Sequence, residues 1–163
     1  MTTELALAVQ YGMPVPELPR WRLRRWVQQA VNGVVRDWAA SSDDATPGFS
    51  AVALTLRLVD EQEGRQLNLE YRDRDYATNV LTFEYGIDPD GTASGDIVLC
   101  VPVLHHEADK QKKTLLEHAA HLTVHGVLHA LGYDHIQADD AQQMEALEIE
   151  ILGKMGIADP YQA

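Results

Sequence analysis

The chain has 163 residues, 45% hydrophobic and 23% charged, with a formal net charge of −12. That balance suits one globular domain over residues 1–163, large enough to bury its own core, and excludes a disordered chain. A single cysteine, Cys100, excludes a disulfide framework, an iron–sulfur cluster and a cysteine-rich zinc finger, and the acidity excludes indiscriminate nucleic-acid binding over the whole surface.

The opening MTTELALAVQYGMP has no basic leader region, and no apolar stretch approaches the roughly 20 residues of a membrane span. A cytoplasmic protein without a membrane anchor is expected. Residues 4–10 alternate, with Leu5, Leu7 and Val9 on one side, which predicts a strand. Leu23, Trp26, Val27, Ala30, Val31, Val34 and Trp38 recur at helical spacing, which predicts an amphipathic helix over 20–39. Arg20, Arg22, Arg24 and Arg25 crowd its start. They can attract phosphate or cover Trp21 and Trp26 with their aliphatic stems. Residues 1–36 carry five arginines against two glutamates, whereas 134–163 carry one lysine against seven acids, so the charge is polarised along the chain.

The composition of 41–48 (SSDDATPG) predicts a loop, and the alternation of Val52, Leu54, Leu56 and Leu58 a strand over 51–59. Asp60 followed by Glu63 resembles a capping box and starts a helix to about Tyr71. After the charged turn 72–77, strands are expected at 79–85 and 96–101, separated by the loop DPDGTASG. From about 103 the pattern turns helical. A long helix over 114–131 is stopped by Gly132, and a last one spans about 139–153 with Met144, Leu147 and Ile151 on one face. The order β-α-β-α-β-β-α-α-α predicts an α+β layer sandwich, a small mixed sheet packed with helices.

All seven histidines lie between 105 and 135. In HGVLHALGYDH, His125 and His129 are i, i+4 on the predicted helix, so their rings share one face. Once Gly132 ends the helix, the chain can fold back and bring His135 to the same point. Three neutral imidazoles converging in this way make a zinc site with a fourth position open to water. One ion cannot also take His121, because His121 and His129 are roughly 12 Å apart along the axis. The pair His121 and His125 has no evident third ligand in the sequence. His121 therefore reads as a residue behind a metal ligand or in the cleft wall, His118 as a helix-surface residue, and His105 and His106 as surface. The spacing has the outline of the metzincin peptidase signature, H-E-x-x-H-x-x-G-x-x-H, but Gly126 stands where that family carries its general base. Metzincin-type hydrolysis of peptides or amides is one rival reading. A non-catalytic assembly factor with a structural metal is another, although an open three-histidine site favours catalysis.

HGVLHALGYDH closely resembles the HGxLHxxGYDH signature of the YbeY family, single-strand-specific endoribonucleases of rRNA maturation. LNLEYRDRDYATNVLTF (67–83) is similar to that family's LNxxYRxxDxPTxVLSF block, GDIV (95–98) to its GDI strand start, and MEALEIEILGKMG with the closing DPY to its last helix and tail. Ala77, Thr82 and Glu84 depart from the usual proline, serine and proline. The resemblance implies a zinc-dependent endoribonuclease that processes the 3′ end of 16S rRNA and serves ribosome quality control. It further implies one Zn2+ per chain on His125, His129 and His135, and Arg72 as the functional arginine. Implied partners are single-stranded RNA, small-subunit ribosomal proteins and an assembly GTPase. The charge that builds on phosphoryl oxygens during phosphodiester cleavage suits a guanidinium. Asp96 and Asp134 read equally as carboxylates that orient a metal ligand and as turn or cap carboxylates. Asn79 and Thr82 read as strand residues that could also bond substrate. For base stacking the candidates are Tyr71, Tyr76 and Phe83.

Overall fold

A computed structural model describes residues 3–41, 48–133 and 138–161. Its elements run in chain order as β1 (Glu4–Tyr11), α1 (Arg20–Ser41), β2 (Ala51–Val59), α2 (Glu61–Arg72), β3 (Val80–Ile87), β4 (Thr92–Cys100), α3 (Val101–Lys110), α4 (Leu115–Ala130) and α5 (Ala138–Lys154). This is the order expected from sequence. Most of the expected loop at 41–48 lies outside the described residues.

The sheet has the order β1-β2-β4-β3, with β1, β2 and β4 parallel and β3 antiparallel at the edge. Register places Leu5, Val52 and Ala93 in one row and Leu7, Leu54 and Gly95 in the next. These rows face the main core, where Leu23, Val27 and Val34 of α1, Val124 and Leu128 of α4, and Met144 and Ile151 of α5 pack. A smaller cluster of Val59, Leu81, Val98 and Cys100, with Leu67 of α2 and Val103 of α3, covers part of the opposite face. Because that face is only partly covered, β2 alternates half-buried and buried residues up to Leu58, and only Val59, in the smaller cluster, is buried on the opposite face.

Two boundaries and one helix cap differ from expectation for local reasons. The loop expected to run to Gly95 closes by residue 91. Asp88 Oδ1 accepts from the amides of Asp90 (2.9 Å) and Thr92 (3.0 Å), and Gly91 takes a φ of +85°. Thr92–Gly95 are thereby released to pair with β2. At the other end of β4, Pro102 in the first turn starts α3 directly after Cys100, earlier than expected. Only half of the expected capping box at α2 forms: Asp60 accepts from the Glu63 amide at 2.9 Å, but the Glu63 side chain pairs with Arg57 of β2. A complete capping box stands instead at the start of α4, between Thr114 and Glu117. The cap at Thr114 contributes about 1 kcal/mol to the helix that carries four of the histidines.

Candidate metal and substrate site

α4 lies close against the sheet because two contact positions lack side chains. A Cβ on Gly126 would come within 2.7 Å of Ile97 on β4, and one on Gly95 within 3.0 Å of Ala130. Gly126 therefore faces the core, and the helix meets the sheet where a peptidase would carry its base. The α4 C-terminus is a Schellman turn: Gly132 N donates to His129 O (3.1 Å), Tyr133 N to Leu128 O (2.9 Å), and Gly132 has a φ of +105°.

His118, His121, His125 and His129 run down one side of α4, with successive ring centroids 6.3, 6.2 and 4.6 Å apart. Exposure rises along the file. The His118 side chain is 4% exposed, that of His121 12% and that of His125 21%. His118 is not a surface residue. It is buried, with Nε2 2.8 Å from Glu107 Oε1 of α3. Burial pushes its pKa down, only partly offset by that carboxylate. The exposed His105 and His106 are surface residues as expected.

Behind the file stands Glu148 of α5, fully buried. Its Oε1 lies 2.5 Å from His125 Nδ1, and its Oε2 accepts from Tyr161 Oη and lies 3.3 Å from His121 Nε2. Burial alone would raise this carboxyl, but hydrogen bonds from His121, His125 and Tyr161 outweigh it and hold the pKa at about 2. An ionised carboxylate only accepts, so Nδ1 of His125 carries the proton, and in the neutral ring Nε2 keeps the lone pair. Ligand atoms of His121, His125 and Glu148 all lie within 4.8 Å of one another, an arrangement that could hold a metal ion. From the sequence, His121 and His125 lacked a third partner; Glu148 supplies one across 23 residues. Its signal is a lone carboxylate within the apolar stripe of Met144, Leu147 and Ile151.

In front of His125 and His129 opens a cleft of about 440 Å³, lined also by Arg72, Asn79, Val80, Thr82, Glu84, Gly132 and Tyr133. Its far wall is the edge strand β3. Val80, Thr82 and Glu84 pair with Leu99, Ile97 and Gly95, whose face is the one that α4 covers. The αL residue Asp73 ends α2 just beyond Arg72, and the exposed Arg72 guanidinium reaches Thr82 O at 3.3 Å. Asn79 holds the strand start by accepting from Val80 N (2.7 Å) and donating to Glu107. Tyr133 Oη donates to Asp37 of α1 at 2.5 Å.

The structure thus brings together Arg72, His125 and His129, while His135 and Asp134 lie outside the described residues. Asp96 belongs to the other side of the sheet, where its Oδ2 accepts from Tyr85 Oη at 2.7 Å. The arginines of α1 do not join Arg72. Arg20 and Arg24 donate to the β1 carbonyls of Val9 and Leu5, at the sheet edge opposite β3. Tyr71 and Tyr76 are exposed and Phe83 is half-buried. No helix among the described residues is long and apolar enough to cross a membrane.

A family model described as Endoribonuclease YbeY matches residues 17–156. The chain is 64% identical over 163 residues to Endoribonuclease YbeY of Bordetella pertussis, covering 100% of this chain and 99% of that protein. It is 48% identical over 166 residues to Endoribonuclease YbeY of Burkholderia lata, covering 98% and 87% respectively. The solution structure of TM1509 from Thermotoga maritima shares the fold, with a TM-score of 0.56 at 21% identity over 96% of this chain and 99% of that one.

Proposed function

The chain belongs to the YbeY endoribonuclease family, and from that premise we propose that it is a zinc-dependent endoribonuclease specific for single-stranded RNA. In this reading it acts in the cytoplasm in rRNA maturation, including the 3′ end of 16S rRNA, and in ribosome quality control. Small-subunit ribosomal proteins and assembly proteins are its proposed partners. The observation that most supports the reading is the convergence of His125, His129 and Arg72 on one cleft.

The proposed ligands for one zinc ion per chain are His125, His129 and His135. The donor chemistry of His125 fits: its Nδ1–H donates to Glu148, as metal-binding imidazoles do to carboxylates behind them, and leaves Nε2 for the cation. A cation bound there supplies Lewis-acid polarisation of a phosphoryl oxygen. Arg72, from the opposite wall, neutralises charge on the remaining phosphoryl oxygens and holds the phosphate with paired N–H donors. Gly126 carries no base for peptide hydrolysis.

The 4.8 Å cluster favours a second ligand set, His121, His125 and Glu148. Against it, both Glu148 oxygens already hold hydrogen bonds, which positions the carboxylate as an orienting group. Metal analysis separates the two sets. His129→Ala should lose stoichiometric metal and His121→Ala should keep it, and the reverse would assign the second set. The activity test is cleavage of single-stranded against duplex RNA by metal-loaded protein, with and without chelator. Chelator-sensitive proteolysis without RNA cleavage would replace the nuclease by a metallopeptidase.

A further inference from the structure

We propose that Glu84, which stands where the family usually carries proline, adds to the sugar selectivity of this chain by accepting a hydrogen bond from the ribose 2′-hydroxyl next to the phosphate held at Arg72. The inference rests on the RNA reading above and adds to it a residue for telling ribose from deoxyribose.

Glu84 is exposed on β3, on the strand face that looks into the cleft. Two glycines make room for it. Its cross-strand partner is Gly95, so no side chain screens it from that side. Across the cleft, a Cβ on Gly132 would sit 3.4 Å from its Oε2, so the carboxylate reaches the α4 turn that follows His129. Among the described residues it has no hydrogen-bond or ion-pair partner, whereas Asn79 and Tyr133 are engaged with Glu107 and Asp37. Arg72 and Glu84 are not ion-paired with each other. The cleft therefore presents a cation bonded at Thr82 and a carboxylate two residues along the same strand, with two imidazoles on the facing wall.

A phosphodiester is attracted to the cation and repelled by the carboxylate, so its phosphate lies toward Arg72. Glu84, an acceptor only, then contributes attraction solely where the substrate offers a donor beside that phosphate. The 2′-hydroxyl is that donor in RNA and is missing from DNA. A deoxyribose leaves the carboxylate unpaired against the phosphate chain, which is how a site built for a hydroxyl rejects its analogue.

The test uses the purified, metal-loaded protein and a short oligouridylate, its all-2′-deoxy and 2′-O-methyl counterparts, and an oligocytidylate pair. Binding is read by anisotropy and cleavage by initial rate. The parental protein should prefer the ribo-oligomer by at least about tenfold. Glu84→Ala should lower that ratio, partly by binding the deoxy-oligomer more tightly. Glu84→Gln, which keeps an acceptor oxygen, should fall between. A merely structural role would not strengthen deoxy binding. An unchanged ratio in Glu84→Ala overturns the role of Glu84 while leaving the RNA reading intact. A parental protein that binds no RNA overturns both. A ratio that follows the cytosine amino group instead of the sugar assigns Glu84 to the base and overturns the sugar assignment.

Discussion

The wall behind the histidine file and the wall in front of it use their polar atoms in opposite ways. Behind, Glu148 is fully buried and bonded to His125, His121 and Tyr161, three groups from two other parts of the chain. In front, Arg72 makes one long bond to a backbone carbonyl and Glu84 makes none among the described residues. The back wall is set by folding and holds His125 with its Nδ1 toward Glu148. The front wall stays solvated and keeps its charges available to a substrate. Substitutions behind should cost stability and metal together, and substitutions in front should cost activity alone.

The largest effect is expected at Glu148. Glu148→Leu leaves His125 Nδ1, His121 and Tyr161 Oη facing an apolar group, and breaking such a buried network costs about 3–5 kcal/mol. Urea unfolding should register that loss, and metal analysis should find less than stoichiometric ion. Parental stability in this variant would break the contrast between the walls.

Arg72→Ala should keep its metal and its melting temperature and lose roughly a hundredfold in cleavage rate, about 3 kcal/mol of transition-state stabilisation. Arg72→Lys should recover part of it, since lysine keeps the charge without the fork. If Arg72→Ala loses metal or unfolds, the front wall is structural after all.

Gly126→Ala sharpens the comparison from between the walls. The added methyl meets Ile97 at 2.7 Å, and overpacking of this kind costs about 1–3 kcal/mol. Denaturant unfolding should show it with metal content unchanged.

The smallest effect concerns pH. His118 is buried, its Nε2–H donates to Glu107, and among the described residues its Nδ1 has no hydrogen-bond partner. Burial places its folded pKa below the unfolded value, so its contribution is present above the ordinary imidazole range and is lost as pH falls through the folded pKa. The stability difference between the parental chain and His118→Leu should shrink between about pH 7.5 and about pH 5. A difference that grows on acidification would mean that His118 is protonated in the fold.

The sequence by itself determined the order of the elements and the helical face shared by His125 and His129. Periodicity, caps and turns act over a few residues, so Leu5, Val52 and Met144 declare their faces locally, and Gly132 declares the end of its helix. The DPDG turn and Pro102 are equally local signals that reset two strand boundaries. Only the tertiary structure decided what stands around the histidines. Glu148 lies 23 residues from His125, and Asp37 lies 96 from Tyr133, so no local pattern pairs them. It also sent the α1 arginines to the sheet edge away from Arg72, buried His118, and turned Asp96 to the other face. The physical reason is that a side chain's partner is chosen by packing. The strand order β1-β2-β4-β3 makes β3 an edge facing α4, and that placement, rather than any spacing along the chain, brings Arg72 and Glu84 to the cleft.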